Sequence, residues 1–366
     1  MRIVMMLSGR RLGGSSLAML NLSIGLRGHG LDVTAVTTKS TVRSNPALRR
    51  AKGRGVIIEA VDDADSAPLA RLMTSVRLMS LIKSEDSIYH VHSPREAFVY
   101  AVPTLSSGCR TVATFEGDAL YEVSLHQNAP ADRVINVVGE RVMSRSDAIT
   151  ACSEWLAKRL RSRIGREITG IPNPIDVERF SRIEEWNGQR KVVLSLARLD
   201  VVKGVDVLLR AATILKGRRE LEFWVAGEGP LRGKLQSMID RHDLRGRFKL
   251  LGHVDTVEDL ISESYMLVLP SLYEPFGMPA AEGGAGSRPV VVSDTGGLRE
   301  IVEDGVNGLL ARPGDPRDLA EKIEYLLVEE GIAREMGRRG RALSRRFAPE
   351  VVAERFIEVY ELALRG

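Results

Sequence analysis

Cysteine is almost missing from this chain of 366 residues: Cys109 and Cys152 are its only two. Two cysteines cannot build a disulfide framework or a Cys-rich zinc or iron–sulfur site, so a reducing compartment is the natural setting. Aromatic residues are scarce, at 5%, which leaves little to stack against the bases of a nucleic acid. No apolar run approaches the roughly 18 residues that a membrane-spanning helix needs. The first such run, from Ile3 to Leu7 behind Arg2, is too short for the core of a secretion signal and reads as a β-strand. A cytoplasmic location is the expectation. Blocks of one charge are missing as well. The net charge is +4, made of +5 before residue 186 and −1 after it. An excess spread so thinly suits an anionic small substrate, or peripheral contact with a membrane surface through the basic first half, and not nucleic acid.

What the chain does have is alternation. Short β-branched runs alternate with longer amphipathic stretches, the pattern of parallel sheets with crossover helices. The first half offers strands at Ile3–Leu7, Val33–Thr37, Val56–Ala60, Ile88–His92, Thr111–Phe115 and Ala148–Ala151. The second offers Val192–Ala197, Leu221–Ala226, Phe248–Leu251, Met266–Leu269, Pro289–Ser293 and Gly308–Ala311. Two series of this kind predict two doubly wound domains, 1–172 and 186–345. Pro172 and Pro174 forbid a continuous helix between them. From Pro349 on, Val352, Phe356, Val359 and Tyr360 recur at helical spacing, so residues 349–366 form an amphipathic helix that needs a surface to cover.

The strongest constellation follows the strand Met266–Leu269. Glu274, before Pro275, Phe276, Gly277 and Met278, falls in a strand-to-helix turn, and Glu282 lies about two helical turns further on. In an open α/β sheet, ligands bind outside the carboxyl ends of the strands, where this turn lies. Gly277 lets the backbone approach closely, and the following helix start offers free N–H groups. The two carboxylates suit the hydroxyls of a sugar and a ribose. Arg198 and Lys203 follow another strand, and fixed cations there would stabilise charge building on a leaving diphosphate. Either pair by itself also fits ordinary solvated side chains.

The segment resembles the hallmark of retaining glycosyltransferases of family four, the glycosyl transferase group 1: Glu, Pro, Phe, Gly and a second Glu after seven residues. Further matches follow in order. They are Ser195–Gly204 with Arg198 and Lys203, Val225–Leu231 with Gly227, Leu251–Val254 with His253 and Val254, and Ser293–Val302 followed by Gly305–Leu310. The resemblance implies the GT-B fold: two Rossmann-like domains facing a cleft, with the tail helix crossing back onto the first. It implies that the second domain holds a nucleotide-diphosphate sugar, UDP-linked in most relatives, through Gly227, His253, Val254, Pro275, Phe276, Gly277, Met278 and Glu282. Arg198, Lys203 and Glu274 would carry the catalysis. The first domain would bind the acceptor, and neither metal nor cofactor would take part. A nucleotide-sugar 2-epimerase and a non-catalytic nucleotide-sugar-binding protein share the architecture and stand as alternatives.

Other features of the first half are less specific. The glycines of Ser8–Ser15 permit a tight turn whose N–H groups face an anion, and in the resembled family Gly13 and Gly14 lie near the donor phosphate. His92 ends a strand and is a candidate for touching the acceptor. In Thr114–Asp118 the chain departs from the family, which often has His where Glu116 stands. Glu116 and Asp118 would suit an amine-bearing or polyhydroxy acceptor. Asp63-Ala64-Asp65 has metal-site spacing but sits in an acidic turn and reads as a solvated loop. Gly227 and Gly229 lack the third glycine of a dinucleotide fingerprint, since position 232 is Arg. Leu69–Lys83 reads as a core-facing helix with a membrane-surface helix as the alternative.

Overall fold

A computed structural model of the protein describes residues 1–7, 13–61, 87–99, 110–121, 130–188 and 190–365. Cys109, the Asp63–Asp65 turn, the Leu69–Lys83 stripe and residues 8–12 of the first loop lie outside the described residues. The chain forms two compact units. One combines Met1–Ile175 with Phe347–Gly366, and the other is Asp176–Arg346.

The first unit holds a seven-stranded sheet of β1 (Arg2–Met6), β2 (Asp32–Thr38), β3 (Ile57–Val61), β4 (Ser87–Val91), β5 (Arg110–Phe115), β6 (Ala148–Ala151) and β7 (Thr169–Gly170). Their order is β3-β2-β1-β4-β5-β6-β7, and all pairings are parallel. The second unit holds six: β8 (Lys191–Leu196), β9 (Leu221–Ala226), β10 (Phe248–Gly252), β11 (Met266–Leu269), β12 (Val290–Ser293) and β13 (Gly308–Ala311). Their order is β10-β9-β8-β11-β12-β13, again all parallel. Parallel strands covered by helices on both faces must be apolar throughout. Ile3-Val4-Met5-Met6 and Val290-Val291-Val292 are, and all seven side chains are buried. In each sheet the chain adds strands to one side of the first strand and then returns to the other. The order therefore reverses between β1 and β4, and between β8 and β11. Crossovers diverge at such a reversal and open a crevice at the carboxyl ends of the strands.

The break between the units falls at Ile175/Asp176. Residues 176–185, which the sequence assigns to neither domain, belong to the second unit. Asp176 caps the short helix Val177–Ser181 by accepting from the Arg179 N–H at 3.2 Å, and Phe180 is buried. Arg288 fastens this stretch. It is fully buried, yet each guanidinium nitrogen reaches a carbonyl, of Ile261, Ser262, Gly286 or Glu184, at 2.8–3.0 Å.

The tail helix, Pro349–Arg365, belongs to the first unit. Its Val352, Phe356, Val359 and Tyr360 join one core with Ile3, Met5, Leu20, Val33 and Ile88. It runs so close to the helix Gly14–Gly28 that a Cβ on Gly25 would lie 2.0 Å from the Pro349 carbonyl oxygen. A polar chain continues the attachment inward. Tyr360 Oη and His90 Nδ1 are 2.8 Å apart, His90 Nε2 and Thr114 Oγ1 2.6 Å, and Thr114 Oγ1 and Thr150 Oγ1 2.6 Å. Thr150 ends the chain by donating to the Ala113 carbonyl at 3.4 Å. Only one direction satisfies every member: Tyr360 donates to Nδ1, Nε2–H to Thr114, and Thr114 to Thr150. Burial holds His90 neutral, with its pKa lowered to about 3.

Tyr360→Phe keeps the ring and strips His90 Nδ1 of its donor in a place water does not reach. Urea unfolding should show a loss of about 1–3 kcal/mol. Tyr325→Phe, at an exposed ring, should change stability little, and equal losses would refute the role given to the Tyr360 hydroxyl.

Candidate active site

The loops at the carboxyl edge of the second sheet are hydrogen-bonded to each other in the order of the strands. After β10 and β9, the Gly227 N–H meets the Gly252 carbonyl at 2.7 Å. The loops after β9 and β8 join through Leu199 N–H to Glu228 O at 2.9 Å. The loops after β8 and β11 join through Leu272 N–H to Val202 O at 2.8 Å, and those after β11 and β12 through Gly297 N–H to Glu274 O at 3.0 Å. Such contacts leave no room for side chains between the loops. A Cβ on Gly296, at φ +59°, would lie 2.0 Å from Glu274 O. Gly277, at φ +106°, caps the helix Met278–Ala285, and a Cβ there would meet Leu298 at 2.5 Å. These glycines serve loop-on-loop packing first, and through it the shape of the rim.

Lys203 and Glu274 meet across the reversal between β8 and β11. Lys203 Nζ is 2.9 Å from Glu274 Oε2, which also accepts from Ser271 Oγ at 3.1 Å. The pair is mostly buried, with side-chain exposures of 24% and 11%. Beside it, Arg198 is 60% exposed, and its Nε lies 2.5 Å from Oδ2 of the buried Asp200. Two cations thus stand at one strand end, each steadied by a carboxylate. The next turn presents the start of the Met278–Ala285 helix, whose N–H dipoles favour an anion. Pro275, Phe276 and Met278 are buried in this turn.

Glu282 lies on the same helix and makes no ion pair with a described residue. Burial pushes its carboxyl up to about 7, Arg179 opposes this, and Glu258 and Asp176 add to it. Arg179 is bonded to Glu258. At the far side of the rim, His253 is exposed and lies 3.1 Å from Asp255, and Val254 is half-buried. Arg179, Asp200, Glu258 and Ser271 were not singled out by sequence. Ser271, three residues before Glu274, and Asp200, two after Arg198, carried a local signal.

In the first unit, Gly13 and Gly14 are exposed at the start of the Gly14–Gly28 helix, with open space beside Gly13. His92 stands at the reversal between β1 and β4 but turns inward. It is 1% exposed, and its Nε2–H donates to the Met6 carbonyl at 2.5 Å. Its pKa falls to about 4, chiefly by burial. Glu96 packs beside it, 3.5 Å away, and burial raises that carboxyl to about 8. In this position His92, a residue expected to touch the acceptor, ties β1 to β4. Asp118, also expected on the acceptor side, has partners within the unit. Its side chain is 4% exposed and held by Arg159 at 2.8 Å and Arg163 at 3.1 Å, while Oδ1 also accepts from the Tyr121 N–H at 3.1 Å. Arg163 reaches Glu140 in turn, at 2.9 Å. This network fastens the turn after β5 to the helices Pro130–Met143 and Glu154–Ile164.

Glu116, two residues earlier, pairs with no cation among the described residues. Its Oε2 accepts from Asn173 Nδ2 at 2.7 Å, and its buried Oε1 takes no hydrogen bond from any described residue. Burial raises its pKa to about 7, against the Asn173 bond that lowers it. Among the described residues no group of three or more side chains could hold a metal ion, and no helix is long and apolar enough to cross a membrane.

Two such sheets, with loops joined around a cationic strand end, are the GT-B fold of glycosyltransferases. The pattern of Glycosyltransferase Family 4 matches residues 12–179, and that of Glycosyl transferases group 1 matches residues 176–343. Together the two span most of the chain, which belongs to the group 1 / family 4 glycosyltransferases. It is 32% identical over 220 residues to an uncharacterised glycosyltransferase of Methanocaldococcus jannaschii, covering 60% of each chain. It is 30% identical over 243 residues to a glycogen synthase of Mycobacterium tuberculosis, covering 64% of this chain and 58% of that one. The chain spans about three fifths of the length of each of these curated relatives. Among solved structures, HepE of Anabaena in complex with UDP and glucose superposes with a TM-score of 0.79 at 19% identity, over 98% of both chains.

A carboxyl whose pKa rises on folding binds its proton more tightly in the native state. Ionising it costs stability from the unfolded value near 4.5 up to the folded value near 7. Glu116→Gln removes that cost and keeps an oxygen for Asn173. Its melting temperature should gain on the parent as pH rises through this window and hold a constant lead above it. A difference independent of pH would contradict the burial of the Glu116 carboxyl.

Proposed function

We propose that the protein is a retaining glycosyltransferase that moves a sugar, a hexose in the simplest reading, from a nucleotide-diphosphate donor to a hydroxyl acceptor. The observation that carries the reading is the meeting of Lys203, Glu274 and Arg198 at the strand-order reversal beside the Met278–Ala285 helix start. In this reading the second unit binds the donor. Arg198 and Lys203 hold the diphosphate, Glu274 and Glu282 accept from sugar and ribose hydroxyls, and His253, Val254 and Gly227 border the nucleotide. A UDP sugar is favoured because HepE, of the same fold, is solved with UDP and glucose. In this reading the first unit binds the acceptor, with Glu116 toward it.

The bond from the anomeric carbon to the diphosphate oxygen breaks, and a bond from that carbon to the acceptor oxygen forms on the same face. The acceptor proton passes to a donor phosphate oxygen. No side-chain nucleophile is needed. Catalysis then rests on positioning and on cations fixed where charge develops. Lys203 is well suited, because its bond to Glu274 removes the cost of ordering a long side chain during reaction.

Replacing Arg198 or Lys203 by Ala should lower turnover of a UDP sugar by about two to three orders of magnitude, and an undiminished double variant would sink the mechanism. With cations supplied by the protein, EDTA should leave the rate unchanged. Loss of activity restored by Mg²⁺ or Mn²⁺ would overturn the metal-free reading. Donor turnover with and without acceptors separates transfer from epimerisation and from binding alone.

A further inference from the structure

Glu116 stands at the carboxyl end of β5, and the crossover residue Asn173 donates to one of its oxygens at 2.7 Å. Asn173 is 5% exposed and lies two residues before the end of the first unit's main segment. The stretch it belongs to is itself fixed within that unit. Asn21 Nδ2 donates to the Pro174 carbonyl at 3.1 Å, and the Ile175 N–H to the Phe347 carbonyl at 2.9 Å. The donor to Glu116 is therefore presented by a rigid piece of chain. The other oxygen, Oε1, is buried and takes no hydrogen bond from a described residue. A buried carboxyl oxygen without a partner is costly, and a bound donor group would remove that cost.

We infer that Asn173 is a positioning residue, which fixes the Glu116 carboxyl so that Oε1 is presented to a hydroxyl of the bound acceptor. The inference rests on the glycosyltransferase reading for the identity of the substrate, and on geometry alone for the pairing. The surroundings of Glu116 support it. Its carbonyl oxygen accepts from the Cys152 thiol at 3.6 Å. Asp118, on the same turn, is held by Arg159 and Arg163 of the Glu154–Ile164 helix. Asn173 is the polar side chain that touches the Glu116 carboxyl among the described residues. With burial raising its pKa to about 7, this carboxyl meets an acceptor near its own midpoint, where a change in one hydrogen bond is read easily.

The test uses the full chain with ¹³C-labelled glutamate side chains, the Glu116 signal being the one lost in Glu116→Gln. It should titrate near pH 7 in the parent. In Asn173→Ala, loss of one hydrogen bond to the ionised form should move the midpoint up by about 0.4–1 unit. In transfer assays Asn173→Ala should raise the acceptor KM about 5- to 10-fold and leave the donor KM unchanged, the size of one lost hydrogen bond. It should add nothing in a Glu116→Ala background. An unmoved midpoint overturns the positioning role. A moved midpoint with the same acceptor KM in Glu116→Ala and the parent overturns the contact with substrate. Should the parent transfer no sugar from any nucleotide sugar, the activity reading fails and takes the substrate contact with it, while the titration still decides the pairing.

Discussion

The candidate site depends on one ion pair. Lys203 and Glu274 are 71 residues apart and come from loops that leave the sheet in opposite directions, yet their charged atoms lie 2.9 Å apart. The strand order makes this possible. β8 and β11 are neighbours only because the chain returned to the other side of the first strand, so their loops open beside each other. A carboxylate alone in that crevice would repel a phosphate, and a lysine alone would wander. Bonded to each other, and with Ser271 on the same oxygen, they form a fixed dipole whose cationic end is ordered in advance. The loop contacts on either side act on this pair as well, since moving the Gly296 turn would move Glu274 through its carbonyl.

Both units contain acids whose proton is held to higher pH than usual. Glu96 and Glu116 in the first, and Glu282 in the second, are raised to about 7–8, in each case mainly by burial. Two other buried acids, Asp118 and Glu274, have cations at 2.8–3.1 Å. The cations make these two carboxylates anchors, whereas the burial of Glu116 and Glu282 leaves them able to change protonation near neutrality. Glu116 and Asp118 are separated by one glycine and fall on opposite sides of that division.

How far the sequence could be read follows from the same distinction. The strands were legible where apolar runs end at glycine, proline or a charge, as in Ala148–Ala151 and Met266–Leu269. The two-residue β7 has no periodicity to read. Lys203 and Glu274 were legible together through the motifs of the family resemblance. Their direct bond was not, since it depends on which strands become neighbours. Asp118 and His92 were read outward because a strand end faces ligand in this architecture. Arg159 lies 41 residues from Asp118, and Met6 lies 86 from His92. Nothing local in the sequence announces partners at such distances. Asn173 was hidden for a further reason: between two prolines it reads only as a break.

The place of the tail helix has a consequence for how the molecule is made. Pro349–Arg365 completes the core begun by Ile3 and Met5, and Tyr360 ends a polar chain that starts at β5 and β6. During synthesis the first unit therefore emerges early with one side of its sheet uncovered, while the second, Asp176–Arg346, is continuous and complete before it. Domains ordinarily fold in the order in which they are made. Here the unit that is begun first is finished last, and its exposed flank, with Gly25 waiting for Pro349, is the surface most open to chaperones and to misassociation between nascent chains.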